Sequence, residues 1–154
     1  SAEVIDRLTG VQALAGLLPR ARELSPTIIR LLDDPAPSVR LSAALLIVDW
    51  WPVFDAATQE RIATLGADHP WRRQYQESLE LLAGCREQLF QVLREALWEH
   101  SPAERLEAAI RLHRFFGSDD EVIASLQELA GRFQPGTHHR RQVDVLLRPV
   151  NPFQ

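Results

Sequence analysis

Lysine and methionine are both missing from this chain of 154 residues, and cysteine occurs once, as Cys85. A single cysteine excludes an internal disulfide and fits a reducing cytoplasm. With no methionine and Ser1 at its head, the sequence reads as a piece of a longer protein. That all 17 basic residues are arginine reflects genome composition before function. Long apolar runs are missing too. The longest, Leu41 to Phe54, is interrupted by Ser42, Asp49 and Pro52, so no membrane span is expected. No basic stretch followed by an apolar one opens the chain, so no secretory signal is read. Gly-rich phosphate loops, Walker motifs and nucleophile elbows are absent as well. A net charge of -4 sets the overall field against nucleic acid and anionic membranes.

What is present is ordinary for a globular chain: 45% hydrophobic and 25% charged residues, enough for one domain or a short stack of repeats. Helix signals dominate. Ser101-Pro102-Ala103-Glu104 forms a capping box with proline at the first helical position, and Ser118-Asp119-Asp120-Glu121 repeats the device. Gly66, Gly84, Gly117, Gly131 and Gly136 stand where helices are expected to stop. No segment alternates convincingly as a strand does. The pattern predicts helices over 3–17, 20–33, 38–51, 55–66, 70–83, 85–99, 102–116, 118–132 and 138–147. The helix 38–51 is apolar nearly all round, as for a helix packed between others, whereas 118–132 carries one stripe: Val122, Leu126, Leu129, Ala130 and Phe133.

The chain also repeats itself. Arg40-Leu41-Ser42-Ala43-Ala44 recurs 65 residues on as Arg105-Leu106-Glu107-Ala108-Ala109, and Trp50-Trp51 answers to Phe115-Phe116 at the same offset. Helix starts near 38, 70, 102 and 137 give a period within the range of helical-repeat proteins. The segment from Leu31 through Asp33-Asp34-Pro35 to Arg40 and Ala44 resembles the turn and second helix of the HEAT-repeat family, including its shorter phycobilisome-lyase type. The resemblance covers roughly residues 25–147 and implies an all-α fold: a right-handed α-solenoid of about four antiparallel helix pairs in a single domain, 1–147. An extended tail or linker follows over 148–154. In that family an acid in the turn and a base six residues later bind neighbouring repeats as a ladder. Asp34 with Arg40, and Glu99 with Arg105, have this spacing. The other two units depart from it: Asp68 to Arg73 is five residues, and only Gln134 precedes Arg140. The small residues Ala43, Ala44, Ala108 and Ala109 are expected to be buried where helices approach closely.

Candidate chemistry is sparse. Asp33-Asp34 and Asp119-Asp120 read as helix caps rather than a catalytic pair, since acid catalysis needs carboxylates converging across a cleft. Of His69, His100, His113, His138 and His139, only the last two are close, and adjacent helical residues point about 100° apart, so no metal is implied. His113 falls on the apolar stripe of its helix and is expected in the core. Cys85 reads as a small buried thiol. Trp50 and Trp51 fit a doubly buried helix, with one of them a possible binding anchor as the alternative.

The expected function is therefore non-enzymatic: a cytoplasmic scaffold without cofactors, binding a protein or peptide on the face built by the second helices of the repeats. The residues singled out are Ser42, Leu46 and Asp49 in one repeat and Glu107, Arg111 and Arg114 in its counterpart. The alternative is a nucleic-acid-binding module resembling the HEAT-like alkylpurine DNA glycosylases. It would use Arg72-Arg73 beside Trp71, and Arg140-Arg141 beside His138-His139.

Overall fold

A computed structural model describes residues 2–17 and 26–148 of the chain. Prolines open three of the main helices, because the first helical position needs no amide hydrogen and proline presets the backbone there. They are Pro37, Pro70 and Pro102. The order is α1 (Ala2–Leu17), α2 (Pro26–Arg30) with a 3-10 turn over Leu31–Asp33, α3 (Pro37–Thr64), α4 (Pro70–Glu99), α5 (Pro102–Phe116), α6 (Asp120–Arg132) and α7 (His138–Leu147). The protein is all-α: no strand occurs among the described residues. No helix among them is long and apolar enough to cross a membrane.

Side-chain caps fix the later boundaries. Ser101 Oγ caps α5 as expected, accepting from the Glu104 amide, but the Glu104 carboxylate accepts from the Ser101 hydroxyl at 2.7 Å rather than from its backbone amide. Asp119, not Ser118, caps α6, accepting from the amides of Glu121 at 3.1 Å and Val122 at 3.0 Å. A carboxylate is the stronger acceptor at a positive helix end, and Ser118 instead lies 2.5 Å from Nδ1 of His113. Thr137 caps α7.

Two expected breaks are absent. The segments 38–51 and 55–66 join in α3, through Pro52, and 70–83 and 85–99 join in α4, through Gly84. An interior proline costs about 3 kcal/mol, but stopping there would leave new carbonyls and amides unbonded and require a second nucleation. Good helix formers flank the site, with Ala56, Gln59, Glu60 and Arg61 following it. Gly84 carries a smaller penalty, again inside a run of strong helix formers. Its backbone is not in the left-handed region, unlike that of Gly117 (φ 82°), which ends α5, and of Gly136 (φ 84°), which lies in the turn before α7.

The chain divides into two compact units, Ser1–Val92 and Leu93–Gln154. In the first, α1 packs on α3, as do α2 and the 3-10 turn. Ile28, Leu32, Val39, Leu41 and Ile47 are buried there. In the second, α5, α6 and α7 pack pairwise around Leu106, Leu112, Leu126, Leu129 and Val143. Ala43, Ala44, Ala108 and Ala109 are all fully buried. Of the adjacent tryptophans, Trp50 is buried and Trp51 half-buried.

A methyl group added at Gly84 meets no neighbouring atom within 4 Å. Gly84→Ala is therefore expected to stabilise the chain by about 0.5–1 kcal/mol, by removing backbone freedom from the unfolded state. A denaturant midpoint unchanged or lowered by the substitution would contradict this reading of α4.

Candidate functional site

The arginines expected to form a ladder are in place, but their acceptors differ from those expected. Arg40 Nη1 donates to the backbone carbonyl of Asp34 at 2.6 Å, not to its carboxylate. The Asp34 carboxylate accepts from the Ala36 amide at 2.9 Å and pairs with Arg7 from α1, whose Nη2 lies 3.1 Å from Oδ1. In the other repeat Glu99 is exposed, and the carboxylate meeting Arg105 is that of Glu128 on α6. Arg105 Nε donates to the Leu97 carbonyl at 2.6 Å, which also accepts from the buried Ser125 hydroxyl at 2.9 Å. The Arg105 guanidinium sits 5.3 Å from the centre of the Trp98 ring.

The two weaker units follow the same rule. Arg72 donates to the Leu65 carbonyl at 3.0 Å, and Arg140 to the Ala130 carbonyl at 2.6 Å. In all four units an arginine at the third or fourth position of a helix reaches back to a carbonyl at the end of the preceding segment. Sequence reading missed Arg72 in this role by fixing on Arg73 and on acidic partners. The position of arginine relative to each helix start was the available signal.

Burial alone would raise the Asp34 carboxyl, but the Ala36 amide and the Arg7 and Arg40 guanidiniums outweigh it and hold it below the usual aspartate range. The Arg105 guanidinium, followed by that of Arg132, holds Glu128 down in the same way.

The expected partner-binding residues fall in both units. In the first, Ser42 and Leu46 are half-buried and Asp49 is exposed. In the second, Glu107 and Arg111 form an ion pair along α5, and Arg114 is exposed. The Arg111 side chain keeps only 16% of its surface open, so it offers less to a partner than its spacing suggests. Beside this stripe lies a groove of about 270 Å³ between α5 and α7. Ile110, Val145 and Leu146 give it an apolar floor, and Arg141 and His138 stand on its rim. Glu107, Ile110, Arg111 and Arg114 share one helical face, at spacings of three and four residues. The groove was not foreseen, because it depends on how α7 lies against α5.

The remaining candidates have structural partners. His113 is exposed rather than in the core, turned toward Ser118 at the end of its helix. Cys85 is buried, its thiol donating to the Leu82 carbonyl, and burial pushes its pKa up, away from a reactive thiolate. The basic pairs are engaged: Arg73 with Glu77, Arg140 with Asp144, and Arg141 with the Gly136 carbonyl. Among the described residues no three His, Cys, Asp or Glu side chains gather as a metal site. No family model matches the chain, and no curated protein or solved structure matches it either.

Two outcomes test the helix-end network. Arg105→Lys is expected to cost about 2 kcal/mol in denaturant unfolding, since an ammonium cannot fork between Leu97 and Glu128 as a guanidinium does. A loss below measurement error would remove this contact from the core of the fold. For Asp34, a lowered native pKa gives stability that is present above the ordinary aspartate range, near pH 4, and is lost as pH falls through the native value. The wild-type melting midpoint should thus fall more steeply than that of Asp34→Asn between about pH 5 and 2. Parallel pH profiles would contradict the role given to Asp34.

Proposed function

We propose that this chain is a HEAT-like helical-repeat module, non-enzymatic and cytoplasmic, that binds a protein partner. The observation that carries the reading is the α5–α7 groove, an apolar floor of Ile110, Val145 and Leu146 beside the charged stripe Glu107–Arg111–Arg114. Val145 is 58% exposed and lines the groove together with Ile110 and Leu146. An apolar centre with a polar rim is the anatomy of a peptide- or helix-binding surface. Further support for a repeat module comes from the four helix starts and the arginine that each contributes to the preceding segment's end. The arginines that would serve a nucleic-acid-binding module, Arg72, Arg73, Arg140 and Arg141, are held by carbonyls and carboxylates of the chain itself. That weighs for a protein partner over a phosphate backbone.

Arg114→Glu combined with Val145→Asp tests the groove without touching the helix-end network. Affinity capture from native lysate with wild-type chain should retain a partner that the double variant loses. The melting midpoint should change little, because exposed substitutions shift stability by about 0.5 kcal/mol or less. Equal capture by both proteins would remove the groove as the binding face.

A further inference from the structure

A second surface lies within residues 1–92, independent of the α5–α7 groove. Along α4, Glu77, Glu80, Leu81 and Gly84 share one helical face with Gln88. They border a cleft of about 510 Å³ whose floor also includes Ile29 of α2 and Cys85. Leu81 is 40% exposed, an apolar residue at an open edge. The rim is acidic. Glu80 is exposed and has no ion-pair partner among the described residues, and Glu77 holds only the widely exposed Arg73. At the far end Gln88 donates to Asp33 at 2.5 Å, placing another carboxylate there. The lining spans residues 77 to 88 of α4, about 16 Å at the helical rise, or three turns.

Gly84 adds a separate argument. It sits inside a helix with ordinary helical backbone, and a methyl group added there would meet no atom of this chain within 4 Å. The fold itself does not require glycine at this position. A residue without a side chain, on the floor of a cleft, permits a second backbone to approach closely.

We propose that this cleft docks a cationic amphipathic helix of a partner protein, its aliphatic face over Leu81, Gly84 and Cys85 and its basic residues against Glu77 and Glu80. The length matches three turns of an occupant helix contributing anchors at intervals of three and four residues. The acidic rim selects basic over acidic helices and makes binding sensitive to salt. The neutral Cys85 thiol serves as part of the apolar floor.

The test is fluorescence anisotropy of the full chain with a labelled 18-residue helical peptide of leucine and lysine, and with its leucine–glutamate counterpart. The lysine peptide should bind wild type and the glutamate peptide should not. Glu80→Lys should weaken binding at least ten-fold, whereas Glu60→Lys, an equal charge change at an exposed position outside the cleft lining, should not. Gly84→Ala and Gly84→Leu should weaken binding progressively without lowering the melting midpoint, separating loss of docking from loss of fold. Four results would each overturn the proposal: no binding of the lysine peptide to wild type, equal binding of both peptides, equal weakening by Glu60→Lys and Glu80→Lys, or Gly84 variants that bind as wild type does.

Discussion

Every α-helix ends with carbonyls that have no amide to accept from, and this chain satisfies them repeatedly with arginine. Arg40, Arg72, Arg105 and Arg140 each leave the first turns of one helix and return to the end of the segment before it. Such bonds satisfy an orphan carbonyl and place a positive charge at the negative end of a helix dipole. They also fix the direction in which the chain turns, because a guanidinium can donate to a carbonyl and a carboxylate together. Arg105 uses that capacity most fully, bonded to Leu97 and Glu128 and lying over Trp98 while almost wholly buried. Lysine, which the sequence lacks, would serve this geometry poorly.

The same arrangement limits what the arginines can offer outside. A guanidinium bonded to its own chain keeps its charge but has fewer donors free for phosphate, and several face carboxylates at i+4 as well. The basic dipeptides that suggest nucleic acid in the linear sequence are therefore engaged within the chain, Arg73 and Arg140 by carboxylates and Arg72 and Arg141 by backbone carbonyls. Two openings among the described residues are apolar and short: a groove between α5 and α7 with arginine on its rim, and a cleft along α4 with glutamate on its rim. The two openings thus differ in the charge nearest them, a distinction that net charge alone conceals.

Much of the helical content was legible in the sequence because its signals are local. Pro37, Pro70 and Pro102 mark helix starts by their own backbone geometry, Ser101 caps with the residues beside it, and α5 runs over the expected 102–116. The failures arise where a local signal competes with a longer-range one. Pro52 and Gly84 are read as stops, but the helices on either side are favourable enough to run through them. Likewise, the six-residue spacing of Asp34 and Arg40 is real, yet backbone carbonyls have no sequence signature, so the acid is mistaken for the acceptor. His113 shows the opposite case: its place on an apolar stripe suggests burial, but it lies in the last turn of α5, where Ser118 is within reach beyond the helix end. The groove floor is illegible for a different reason. Val145 and Ile110 are far apart in sequence, and only the packing of α7 against α5 brings them to one surface.

That packing ties the candidate binding surface back to the helix-end arginines. The two walls of the groove are α5 and α7, and each is fixed at its start by one such bond: Arg105 to the end of α4, Arg140 to the end of α6. Helix α6 packs on both walls, with Ser125 and Glu128 on the same network as Arg105. Groove width therefore depends on contacts at the helix starts, none of which line the groove. A surface built on capped, mutually packed helices loses little conformational entropy on binding, which favours selectivity for one shape of partner over adaptation to many.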